Sequence, residues 1–131
     1  MLHEEITDKI ICAFYKVYNT LGHGFLEKVY ENALFIELKK AGLVVAQQES
    51  VKVHYAGEQV GDYFADLVVE GLVILELKAS DSFRNEHFAQ LTNYLKATDK
   101  EVGLLLNFGV QPEFKRIILT NDKKQSMVSN G

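Results

Sequence analysis

The chain has 131 residues, the size of a single domain built on one hydrophobic core. Its 47% hydrophobic and 24% charged residues are ordinary globular values, which exclude a disordered tail protein, a fibrous repeat and a disulfide-rich miniprotein. The net charge of −4 is not the basic balance that would point directly to nucleic acid, although a basic rim or a bound metal can reverse the sign locally.

No apolar run approaches the roughly 20 residues of a bilayer span. The start, MLHEEITDKI, carries acids where a signal peptide needs bases. Cys12 has no second cysteine to pair with. A cytoplasmic protein with no membrane partner is therefore expected.

From Glu4 to Leu21, a helical period puts Ile6, Ile10, Ala13, Phe14, Val17 and Leu21 on one face. Gly22 and Gly24 end it, and a second helix is expected from about Leu26 to Ala41, stopped by Gly42. The period then falls to two. Val51, Val53 and Tyr55 alternate with polar residues before an Ala56-Gly57-Glu58 turn. Strands over Val60 to Val69 and Leu72 to Ala79 follow, separated at Glu70-Gly71. A third helix is predicted over Asn85 to Thr98, burying Phe88, Leu91 and Leu95. Strands at Val102 to Leu106 and Lys115 to Leu119 close the order, with Asn107-Phe108-Gly109 read as a turn between them. The residues after 120 lack periodicity and read as a frayed tail. Two helices, three strands, a helix and two strands make an α/β or α+β domain with helices available to cover a sheet.

The segment LVILELKA is anomalous. It begins apolar on both faces, as a strand covered on both sides does, yet Glu76 and Lys78 follow on one of them. Charges in such a place are destabilising unless paired or bound to a metal. An ion pair between Glu76 and Lys78 at the sheet rim explains this strand equally well when it is taken alone. In the strand before it, Asp66 stands among Phe64, Ala65, Leu67 and Val68. A two-residue turn would set Asp66 opposite Leu75; a three-residue connection would set it opposite Glu76. A shared carboxylate site therefore requires an odd-length loop or a bulge. Two carboxylates and an ammonium brought together this way fit a divalent cation and phosphodiester chemistry. An acid two residues before a lysine also occurs at Glu37, Glu113 and Asp122, so the tripeptide by itself is no evidence.

An aspartate ending one strand, followed by E-x-K in the next, resembles the PD-(D/E)XK nuclease superfamily. Gln90 and Tyr94 in QLTNY match the Q-x-x-x-Y pattern of its RecB-like members, and Gly24, Glu27 and Tyr30 in GFLEKVY match the motif of its GxxExxY proteins. The resemblance spans nearly the whole chain, with Ala65 where the superfamily's name has proline. It implies a single restriction-endonuclease-like α/β domain over 1–120, with a central mixed sheet flanked by helices on both faces, and a flexible tail over 121–131. It also implies Mg²⁺ or Mn²⁺ held by Asp66 and Glu76, helped by the Leu77 backbone and by Glu27 or Glu31. Lys78 would position the attacking water, while Gln90 and Tyr94 would orient the site.

Taken without the resemblance, Glu27 and Glu31 beside Lys28 fit solvated helix charges, and Tyr30 and Tyr94 fit a core stripe. Cys12 reads as a core residue, Gln90 fits a cap on a buried carbonyl, and no histidine is assigned a role. Two functions follow. The first is a metal-dependent nuclease acting on DNA more readily than RNA; the second is a catalytically inactive module of the same fold that binds protein or nucleic acid. Either allows a homodimer.

Overall fold

The computed structural model describes residues 1–124. The elements are α1 (Glu4–Leu21), α2 (Glu27–Lys40), β1 (Val45–Tyr55), β2 (Glu58–Val69), β3 (Val73–Lys78), α3 (Asn85–Ala97), β4 (Val102–Phe108) and β5 (Pro112–Ile118). One mixed five-stranded sheet has the order β1-β2-β3-β4-β5. Neighbours are antiparallel except β3 and β4, which run parallel because α3 crosses over between them.

Helices cover both faces, as the α/β reading requires. On one side Ile10, Phe14 and Val17 of α1 and Tyr30, Leu34 and Leu38 of α2 meet Leu67, Val69, Leu75, Leu77, Leu104 and Leu106. On the other, Leu91, Tyr94 and Leu95 of α3 cover Val68, Ile74 and Leu105. Both β3 and β4 are thus buried on two faces, which explains why their sequences read as continuous apolar runs.

Three expectations are corrected. Asn107 and Phe108 are not a turn but the buried end of β4. The ring of Phe108 stacks on Tyr30 at 4.3 Å and meets Phe14 edge-on at 4.8 Å, so burial holds the strand past the point where its pattern fades. Cys12 is exposed rather than in the core. It lies on the flank of α1, in a shallow cleft with Lys9, Lys16, Glu37 and Lys40, while Ala13 and Phe14 take the buried side. Phe88 is only partly buried, packed at the edge of the cluster under α3.

The expected tail over 121–131 lies outside the described residues from position 125 onward. Before that point Asn121–Lys123 make a single 3-10 turn, and Lys124 Nζ donates to the carbonyls of Thr98 (2.9 Å) and Lys100 (2.6 Å).

Strand pairing creates the site. β2 pairs with β3 only through Leu67–Leu75, Val68–Ile74 and Val69–Val73. Beyond this, β2 continues with β1 and β3 continues with β4, as far as Lys78 opposite Asn107. The sheet therefore forks at Asp66 and Glu76.

Candidate active site

Asp66 and Glu76 meet because the β2–β3 connection has three residues, Glu70, Gly71 and Leu72. Glu70 and Gly71 both have positive φ (55° and 64°), and the Leu72 N–H closes the turn on the Val69 carbonyl at 2.9 Å. Leu72 is the extra residue that sets the odd register. The left-handed conformation of Glu70 is held from outside the turn. Its N–H donates to the Val44 carbonyl at 2.7 Å, and its carboxylate accepts the Val44 N–H at 2.6 Å.

At the fork, side chains replace the missing ladder bonds. The Asp66 N–H donates to Glu76 Oε2 and the Leu77 N–H donates to Asp66 Oδ2, each at 2.8 Å. Glu76 is 3% exposed, and Asp66 is half-buried. Ala65 and Val68 pack into the same cluster under α3 although three positions apart, so the two-residue alternation of β2 slips once around Asp66.

Burial, and then the Asp66 charge, push the Glu76 carboxyl up to about 8; the Asp66 N–H bond and the Lys78 charge oppose this. Burial also raises the Asp66 carboxyl, against the lowering effect of the Leu77 N–H bond. The half-buried Lys78 ammonium is thus close enough to favour both charged carboxylates. The rim ion pair is nevertheless absent: among the described residues, no carboxylate oxygen lies within 4.0 Å of Lys78 Nζ.

Of the two acids on α2, Glu31 is the one drawn toward the fork. It is 5% exposed and accepts bonds from Lys28 (3.0 Å), Gln47 (2.6 Å) and Gln48 (2.9 Å). Gln48 also reaches Asp66 Oδ1 at 3.4 Å, so one amide bridges the α2 acid and the β2 acid. Gln48 stands opposite Asp66 in β1 with φ of 55°, a left-handed break in the strand. Nothing in the alternation of β1 marks Gln47 or Gln48; only the positions facing them do. Glu27 is exposed, in the first turn of α2.

The other residues of the GFLEKVY segment are structural. Gly24 has φ of 112°, a conformation that L side chains rarely adopt. The Tyr30 hydroxyl donates to the Gly22 carbonyl and accepts the Phe25 N–H at 3.2 Å, pinning the α1–α2 turn from within the core.

Gln90 and Tyr94 lie on α3, where Gln90 Nε2 donates to the Tyr94 hydroxyl at 3.1 Å. Burial, followed by the negative charges of Glu76 and Asp66, pushes the Tyr94 hydroxyl up to about 12. Both residues line a cavity of about 600 Å³ between α3 and the β1–β2 hairpin. Asp66, Glu76, Lys78 and the α2 acids do not line it. The carboxylate pair and the cavity are therefore adjoining rather than one, with Tyr94 between them.

The donor set suits a hard cation. Oδ1 of Asp66 carries only the 3.4 Å contact, and Oε1 of Glu76 accepts no hydrogen bond among the described residues. Carboxylate oxygens are what Mg²⁺ and Mn²⁺ prefer, and two like charges crowded in a buried fork are relieved by a cation.

A five-stranded mixed sheet with helices on both faces and a D…E-x-K fork define a restriction-endonuclease-like protein. The family model of the PD-(D/E)XK nuclease superfamily matches residues 4–117, and the chain belongs to that superfamily. The crystal structure of SSO0001 is similar in fold, with a TM-score of 0.54 over 90% of this chain and 67% of that one at 14% identity. No curated protein matches the sequence. No described helix is long and apolar enough to cross a membrane.

Proposed function

We propose that this chain is a metal-dependent nuclease that hydrolyses phosphodiester bonds of DNA, one of the GxxExxY group, working in the cytoplasm with Mg²⁺ or Mn²⁺. The observation that carries this reading is the reciprocal pairing of Asp66 and Glu76 at the sheet fork, with Lys78 beside them and, among the described residues, unclaimed by an ion pair. Asp66 and Glu76 would hold the cation, with the Leu77 backbone and Glu31 in support and Glu27 at the exposed margin. Such an ion supplies charge stabilisation at phosphate and a more acidic bound water. Lys78 orients the attacking water and offsets negative charge as the phosphate is attacked. Gln90 and Tyr94 orient the substrate on the α3 side.

The test is cleavage of labelled single-stranded and duplex oligonucleotides with Mg²⁺ or Mn²⁺. Cleavage that EDTA and Asp66→Ala both abolish supports the reading. No cleavage of any strand by folded wild type with either metal overturns it.

One observation favours the second reading, a catalytically inactive module. Each carboxylate already accepts a backbone amide, and among the described residues no group of three or more His, Cys, Asp or Glu side chains is assembled for a metal. That reading requires the melting temperature to be indifferent to millimolar Mg²⁺ and Mn²⁺.

A further inference from the structure

The cavity beside the carboxylate fork has the composition of a seat for a flat, uncharged heteroaromatic group. Val53, Val60 and Tyr63 of the β1–β2 hairpin form one wall, and Ala89, Gln90, Asn93 and Tyr94 of α3 form the other. Tyr63 is 52% exposed, and its ring stands 6.0 Å from that of Tyr94 at 42°. The amides of Gln90 and Asn93 offer paired donors and acceptors beside that aromatic surface, which is what a base edge requires. A Cβ added at Gly61 would come within 3.1 Å of the Tyr63 ring, so this glycine keeps the ring in its place. The volume of about 600 Å³ is ample for a nucleoside.

Charge decides the kind of recognition. The lining holds one cation, Lys96, and one acid, Glu86, and so presents no basic track. The whole chain has only two arginines, Arg84 and Arg116, and a net charge of −4. Binding a duplex by neutralising many phosphates is poorly served by such a surface, whereas stacking of unpaired bases needs an aromatic face and little net charge. The cavity also adjoins the site directly. Tyr94 packs in one cluster with Ala65, the residue before Asp66, and β2 carries both Tyr63 and Asp66.

We propose that this cavity seats an unpaired base of the substrate strand next to the scissile phosphate, which makes the substrate single-stranded DNA. The inference rests on the nuclease reading and specifies its substrate class.

The test uses a fluorescein-labelled 15-nucleotide DNA strand, the same strand in duplex, and a fully abasic strand of equal length, with anisotropy read in Ca²⁺ in place of Mg²⁺. Wild type should bind the intact strand about tenfold or more tighter than the abasic one, the loss of one or two stacked bases, and tighter than the duplex. Ala89→Trp, at an exposed lining position, fills the cavity and should bring the intact-to-abasic ratio toward one. Tyr63→Leu should do the same, while Tyr63→Phe should keep the ratio. Equal wild-type affinity for intact and abasic strands, preference for the duplex, or a full ratio in Ala89→Trp overturns the proposal. Hydrolysis of bis(p-nitrophenyl) phosphate by wild type with Mn²⁺, an ester without a base, reads the nuclease chemistry separately. Hydrolysis without base preference defeats the base seat alone; base preference without hydrolysis defeats the nuclease reading and leaves the seat standing.

Discussion

Glu76 accepts the backbone N–H of Asp66 at 2.8 Å, at the point where β2 and β3 part. One buried carboxylate thereby orders the strand that carries the other, and burial together with the Asp66 charge raises its own proton affinity. Removing the charge while keeping the shape tests both effects. Glu76→Gln should leave the metal-free protein about as stable near neutral pH, where the folded state keeps Glu76 protonated, and more stable above about pH 8, where a desolvated charge is gone. It should also abolish cleavage and any rise in melting temperature on adding Mg²⁺ or Mn²⁺. Thermal melts with and without metal read this; a full metal-induced rise in Glu76→Gln would show that Glu76 is not a ligand.

The same group sets a pH dependence. Its folded value of about 8 stands above the ordinary 4.5, so the fold favours the protonated acid. The stability this contributes is complete below about 4.5 and is lost as pH rises through about 8. Metal-free protein should therefore melt at a lower temperature at pH 8.5 than at pH 6, and Glu76→Gln should flatten that decline. Melting in EDTA across this range is the measurement, and an equal decline in the variant would assign it to other groups.

Lys78 separates catalysis from architecture. Because no described residue pairs with it within 4.0 Å, its loss should change metal-free stability by less than roughly 1 kcal/mol. Lys78→Ala should abolish cleavage while metal affinity is kept or improved, since one positive charge near the cation is removed. Calorimetric metal titration beside an oligonucleotide assay decides, and unchanged cleavage would end the case for Lys78 in the chemistry.

Leu72 makes the register prediction sharp. Deleting it joins Val69 to Val73 through Glu70 and Gly71 alone, a two-residue loop that keeps Val69 opposite Val73 and therefore Asp66 opposite Glu76. The deletion should therefore retain cleavage, as should Leu72→Ala, equal in length at a position 38% exposed. Loss of cleavage in the deletion alone would show that the three-residue connection is needed for more than the pairing of Asp66 with Glu76.

Tyr30 should behave as a structural residue. Tyr30→Phe keeps the stack on Phe108 but removes the bond to the Gly22 carbonyl and leaves the Phe25 N–H without its partner. A loss of about 1–3 kcal/mol in denaturant unfolding is expected, with cleavage per folded molecule retained. Cleavage abolished at full stability would instead place its hydroxyl in the chemistry.

Helix and strand order was legible in the chain because local period carries it. The α1 bounds, the strand around Asp66, the strand around Glu76 and the crossover helix all follow from the spacing of apolar residues and the placing of glycines. The fork was legible only as a condition. Parity arithmetic states that Asp66 and Glu76 can share a site if the loop is odd, but it cannot count the loop, because the conformation of Glu70 depends on Val44, which is distant in sequence.

What the sequence by itself determined is the set of residues able to do this chemistry and the order in which elements present them. Tertiary structure decided which of them meet. Glu31 rather than Glu27 is drawn in because Gln48, in a left-handed conformation opposite Asp66 within β1, bridges the two acids. Phe108 and Asn107 become strand rather than turn because an aromatic stack with Tyr30 and Phe14 buries that end of β4, and Cys12 reaches solvent because its neighbours Ala13 and Phe14 take the core side of α1. Each outcome depends on contacts between segments far apart in the chain, and a pattern of period two or 3.6 carries no record of the partner across the core.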